Sequence, residues 1–248
     1  MLGELLLLSG NDIPFQEAQV TIHQPTIKEI AYIGEEAFFI GCELLNFSKD
    51  ILSVEDKTSL GDKTNFEVFM SIMRDKKNLA MQQSRISAIM VLTLIFPTYK
   101  VNFTKNQIAL SQDGEETHFI DNRNFEKFKE ILVQMFCLNK RDMGDQNYNP
   151  QGEQARKIAE KLKKGRAKAA ETKGEQEISI FSRYISILAV GQSKDCNNLL
   201  QYTVYQLFDE FERFELKQKF DINLQIKLAG GKNEEEIDNW MKDIHSKS

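Results

Sequence analysis

Residues 99–137 read YKVNFTKNQIALSQDGEETHFIDNRNFEKFKEILVQMFC, and their hydrophobic period changes part-way. Tyr99-Lys100-Val101-Asn102-Phe103 alternates, Thr104 to Asn106 supply a turn, Ile108-Ala109-Leu110 resumes the extended pattern, and Thr117-His118-Phe119-Ile120 follows Asp113-Gly114. Asp-Gly between two extended runs is a short hairpin signal, because the tight turn that matches strand twist needs residues tolerant of positive φ. The pattern predicts a small antiparallel meander. Asp121 to Asn124 then offer cap residues for a helix from about Phe125 to Cys137, where Phe125, Phe128, Ile131, Leu132, Met135 and Phe136 recur at helical spacing. A switch from period two to period 3.6 argues an α+β fold: an N-terminal domain with a small antiparallel sheet and helices, followed by a mainly α-helical C-terminal half.

Working towards the N-terminus, Ala88 to Phe96 reads as a buried strand ended by Pro97, and Asn65 to Met73 as a helix with Phe66, Phe69, Met70 and Met73 on one face. Leu44 to Asp62 gives mixed, turn-rich signals. Val20-Thr21-Ile22-His23 alternates as a short strand and leads into Gln24-Pro25-Thr26-Ile27-Lys28-Glu29-Ile30. Thr26 and Glu29 form a capping box, in which each side chain satisfies a backbone N–H of the other. The helix it starts turns Ile27, Ile30, Ile33, Ala37 and Phe38 inward, with Gly41 as the expected stop.

Working towards the C-terminus, Asn139 to Gly152 is polar and turn-rich and marks the expected domain boundary. Glu153 to Lys173 is a basic helix candidate, with Arg156, Lys157, Lys161, Lys163, Lys164, Arg166, Lys168 and Lys173 against Glu153, Glu160 and Glu171. Glu175 to Val190 reads as helix with Ile178, Phe181, Ile185 and Leu188 inward, and Asp195 to Leu200 as a further turn. Thr203 with Gln206 is a second capping box, opening a long helix from Thr203 to Leu228. Leu207, Phe208, Phe211 and Phe214 line its first half, and Phe220, Leu224 and Ile226 its second. It stops at Ala229-Gly230-Gly231, and an acidic peptide follows in which Ile237, Trp240, Met241 and Ile244 share one stripe. The expected units are therefore an α+β domain over 1–138, a polar and basic linker or exposed helix over 139–174, a helical domain over 175–231 and a docking peptide over 232–248.

Composition narrows the function. The chain has 248 residues, 41% of them hydrophobic, enough to bury a core. A net charge of -5 disfavours a whole-molecule nucleic-acid binder, so any phosphate contact would be local to Arg156, Lys157, Lys161, Lys163, Lys164, Arg166 and Lys168. That stretch lacks aromatics for base stacking and contains Gly165, so it reads first as a solvated linker helix able to meet an acidic partner. Cys42, Cys137 and Cys196 are widely separated and form no CxxC pair, as expected of reduced core thiols in a reducing compartment. Leu5 to Leu8 is too short for a signal segment, and Ile89 to Phe96 far too short to span a bilayer, so a soluble protein is expected.

Chemistry-bearing motifs are few. His23, His118 and His245 have no partners at metal-ligand spacing and read as strand or strand-end residues without a catalytic task. There is no GxSxG, GxGxxG or GxxxxGK[ST], so neither a nucleophile nor a cofactor is called for, and no enzyme is expected. Glu35-Glu36 and Glu234 to Glu236 read as solvated carboxylates. Trp240, the single Trp, sits behind a two-glycine bend with Ile237, Met241 and Ile244, and this face is expected to dock on the protein's own C-terminal helices or on a partner.

The order of these features resembles the tail assembly chaperones of long-tailed phages and prophages of Gram-positive hosts. The matching parts are the strand leading into Gln24 to Ile30 with Gly34-Glu35-Glu36 and Phe38 after it, the meander, the basic segment, Tyr202 to Phe208, and the terminal Gly-Gly, acidic stretch and Trp240. The resemblance implies a non-enzymatic protein of the host bacterial cytoplasm. Such a protein binds the tape measure protein, keeps its hydrophobic helices soluble and leaves as tail tube protein polymerises around it. Seventeen Phe and eight Met are in keeping with binding apolar helices. Self-association is left open, no membrane partner is expected, and a nucleic-acid-associated phage or plasmid accessory protein acting through 156–173 is the alternative.

Overall fold

The computed structural model describes residues 2–49, 61–75, 77, 79–112, 115–140, 179–230 and 239–241. Helix α1 (Glu4–Ser9) buries Leu7 and ends at Gly10, whose φ of 69° suits a residue without a Cβ. Strands β1 (Ile13–Phe15) and β2 (Val20–Ile22) pair antiparallel with Ile13 opposite Ile22 and Phe15 opposite Val20, all four side chains buried. Helix α2 (Ile27–Ile33) begins at the expected capping box: Thr26 Oγ accepts from Glu29 N, and Glu29 Oε2 accepts from Thr26 N at 2.7 Å.

The expected stop at Gly41 is not where the helix ends. Gly34, at φ 87°, ends α2, and a second helix, α3 (Glu35–Leu45), runs straight through Gly41. Gly41 is there for contact: a Cβ on it would lie 2.5 Å from Ser87 O, so the two backbones touch where no side chain fits. Helix α4 (Asn65–Arg74) follows the expected pattern and opens with a further capping box, Thr64 with Glu67.

Ala88 to Phe96 is not a strand. It belongs to helix α5 (Gln82–Ile95), which packs extensively on α3. Ala88, Val91, Leu92 and Ile95 are fully buried at i, i+3, i+4 and i+7, whereas Ile89 and Met90 face out. An apolar run interrupted only by Thr93 hid this period, because one side of the helix buries its apolar residues and the other exposes them.

The meander is present as expected: β3 (Lys100–Phe103), β4 (Ile108–Gln112) and β5 (Glu115–Ile120) pair antiparallel in that order. Gln112 lies opposite Glu115, and the Asp113-Gly114 turn itself falls outside the described residues. Helix α6 (Phe125–Met135) buries all six apolar residues assigned to that stripe. Asn124 precedes it without capping it. Its Oδ1 accepts from Asp121 N at 2.8 Å while Nδ2 donates to Phe119 O and Glu17 O, tying the turn to the N-terminal hairpin.

Beyond residue 178 the chain forms α7 (Ile180–Gln192), α8 (Cys196–Leu200) and α9 (Val204–Leu228), the last opening at the expected Thr203 and Gln206 capping box. Phe181, Leu188, Leu199, Leu207 and Phe208 enter the same core as Phe38 and Phe136. An aromatic series crosses that junction: Phe136 against Phe38 at 4.9 Å, Phe39 against Phe181 at 5.3 Å, and Tyr184 against Phe208 at 5.2 Å. All seventeen Phe are described and none is exposed; most of them build the interior, while Phe220 is half-buried outside that core. Cys42 and Cys137 are buried free thiols, but Cys196, at the start of α8, is exposed rather than core. The architecture is α+β with a helical C-terminal half.

Candidate partner-binding surface

Two joints hold the C-terminal helices in place. At the first, Thr26 and Thr203, both capping residues, form an isolated antiparallel bridge, and Ile27 N donates to Tyr202 O at 2.8 Å. Gln206 extends this joint by donating from Nε2 to Leu8 O at 2.7 Å. At the second, Glu35 is not a solvated carboxylate. Its Oε1 accepts from Ile180 N at 2.7 Å and Phe181 N at 3.4 Å, and its Oε2 accepts from Ser179 Oγ, so it caps α7 from another part of the chain. A carboxylate there also meets the positive end of the helix dipole. Glu36 beside it is exposed, as expected.

So anchored, α9 divides in two. Val204, Tyr205, Leu207 and Phe208 are buried, Tyr184 stacks on Phe211 at 3.7 Å with nearly parallel rings, and Phe214 lies against Gly191, where a Cβ would come within 2.3 Å of its ring. Lys194 fastens the same half by donating to Glu210 and, at 3.0 Å, to Tyr202 Oη. Burial alone would push the Lys194 ammonium down, but these acceptors hold it above the usual lysine range. Burial pushes the Tyr184 and Tyr205 phenols up, so both stay neutral.

Past residue 214 no side chain of the helix is fully buried among the described residues. Phe220-Asp221-Ile222-Asn223-Leu224-Gln225-Ile226-Lys227-Leu228 is apolar at every second position, and in a helix two residues turn through about 200°. The apolar side chains therefore fall on opposite sides: Phe220, Leu224 and Leu228 on one, Ile222 and Ile226 on the other. Ile222 is 53% exposed and Leu228 79%, so this half of the helix does not line the core.

The terminal peptide returns to this helix. Trp240 is half-buried and its carbonyl oxygen accepts from Arg213 Nη1 at 3.2 Å, while Met241 is 67% exposed. Arg213 stands seven and eleven residues before Phe220 and Leu224, on their stripe. Ile237 and Ile244 lie outside the described residues, as do Arg156, Lys157, Lys161, Lys163, Lys164, Arg166 and Lys168 and almost all of the expected 139–174 linker.

Elsewhere, His23 has carboxylates at both ring nitrogens, Asp12 at 2.9 Å and Glu29 at 3.3 Å, and His118 Nδ1 meets Ala18 O at 3.1 Å, so both histidines join elements together. A cleft of about 180 Å³ beside Val68, Met81 and Arg85 is smaller than most small-molecule sites. Among the described residues no helix is long and apolar enough to cross a membrane.

No curated protein and no solved structure matches the chain. Residues 173–245, which carry α7, α8, α9 and Trp240, are similar to a phage-associated domain family, described as the YomV second domain.

Proposed function

We propose that the protein is a non-enzymatic tail assembly chaperone that binds the tape measure protein in the host cytoplasm, using the distal half of α9 and the terminal peptide. The observation that carries this reading is the pair of opposed apolar stripes on the distal half of a helix whose buried residues, among those described, all lie in its first half. A helix apolar on two sides needs apolar neighbours on both, and the hydrophobic helices of a tape measure protein have the matching chemistry. The similarity to a phage-associated family falls on this same region, and the resemblance of most of the chain to tail assembly chaperones supports the same partner. Tail tube protein is the second partner, displacing the chaperone as the tube forms.

Co-expression with the tape measure protein, followed by affinity recovery, tests this. Ile222→Asp and Trp240→Ala should each lower the amount recovered about tenfold, since burying one large apolar side chain is worth about 1.5 to 3 kcal/mol. Both should leave the circular dichroism of the isolated protein nearly unchanged. Normal recovery by both variants would refute the assignment of this surface.

A further inference from the structure

Trp240 sits well back along α9 from the point where that helix ends. Its carbonyl oxygen accepts from Arg213 Nη1 at 3.2 Å, and Arg213 precedes Leu228, the last residue of α9, by fifteen positions, about 22 Å along a helix. Twelve residues after Leu228, Trp240 has therefore returned to the start of the distal half. The side of α9 that Arg213 occupies differs from the other in charge. Between Arg213 and Leu228, the residues within about 60° of Phe220 around the helix axis are Arg213, Leu216, Lys217, Asn223, Leu224 and Lys227, which include three cations and no carboxylate. Asp221, paired with Lys217 at 2.9 Å, stands at the edge of this arc. An equal arc about Ile222 balances Glu215 against Lys219. Leu216 and Phe220 on the basic side are half-buried, whereas Ile222 is exposed.

We propose that the two stripes have different occupants: the chain's own acidic terminal peptide lies along Leu216, Phe220 and Leu224, and the Ile222 and Ile226 stripe is the one that the tape measure protein meets. The second occupant rests on the function proposed above; the first follows from contact and charge together. Trp240 is half-buried and bonded at Arg213, and the residues that precede it carry Glu234, Glu235, Glu236 and Asp238 against Lys232, a sign opposite to that of the stripe. An apolar partner helix would leave the stripe's cations without counter-charge, whereas the arc about Ile222 is already neutral. The arrangement also gives the peptide a task. An isolated helix segment is marginal in water, so a peptide laid along one stripe keeps the distal half of α9 helical before the partner arrives. Trp240 then supports recovery of the partner by ordering the helix that presents Ile222.

The single Trp reports on this contact by fluorescence in the isolated full chain. Leu224→Asp should move the docking equilibrium of Trp240 at least about tenfold toward the free state, because a carboxylate replaces a large apolar side chain under the peptide. The shift is read as red-shifted emission and stronger quenching by acrylamide. Ile222→Asp, a like change two residues away, should leave both readings at their wild-type values while lowering recovery of the tape measure protein. Fraying of the helix by an introduced Asp would act in both variants alike, so the difference between them reads the side on which the peptide lies. Emission unmoved by Leu224→Asp, or moved as far by Ile222→Asp, would overturn the proposal. The fluorescence needs no partner: the peptide can prove to be free while recovery still depends on Ile222, and recovery can prove indifferent to Ile222 with the peptide in place.

Discussion

Glu29 joins three parts of the N-terminal region through one carboxylate. Oε2 accepts from Thr26 N and Oγ, closing the start of α2, while Oε1 faces His23, whose other ring nitrogen meets Asp12. Partial burial works to raise its pKa, but the Thr26 and His23 hydrogen bonds outweigh it and hold the carboxyl below the usual carboxylate range. A carboxylate with a depressed folded pKa stabilises above the unfolded value, and that contribution disappears as pH falls through the folded one. Glu29→Gln should therefore cost about 1 kcal/mol at neutral pH, the scale of a helix cap, and the gap to wild type should close on acidification. Urea denaturation of both proteins across the acid range checks this; a gap constant with pH would mean the charge plays no part. The capping box was legible because four residues carry it. Gly41 was not, since Ser87, which makes it necessary, is on another helix and no local pattern reports a close approach.

At the scale of elements, α9 buries side chains in its first half, whereas past residue 214 its described side chains are half-buried or exposed. Backbone amides of its buried turns should exchange with solvent at least about a hundredfold more slowly than those past residue 214, because an isolated helix segment is marginal in water. Hydrogen exchange with mass spectrometry would show the gradient, and equal protection along the whole helix in the dilute protein would contradict it. The capping residues and first apolar stripe of α9 were readable from spacing alone. The period of α5 was misread because length and a nearly continuous apolar run stood in for periodicity, and a helix with two unlike apolar sides defeats that shortcut. Glu35 was missed for a different reason: the N-terminus it caps lies 145 positions away.

For the whole molecule, the sequence suggested separate units on either side of a polar stretch, yet the described helices on both sides share one core. Leu207 is fully buried there, so Leu207→Ala should cost about 2 to 5 kcal/mol and lower exchange protection equally in α3 and α7. Loss confined to α7 would mean that the two regions unfold independently. The bridge between Thr26 and Thr203 adds a constraint in time. On the ribosome, α2 and the first hairpin are complete long before Tyr202 and Thr203 emerge to receive them, and contacts of such sequence separation slow folding. Nascent chains shorter than about two hundred residues would present an unfinished apolar seam, so the protein should pass through a stage in which general folding chaperones can hold it.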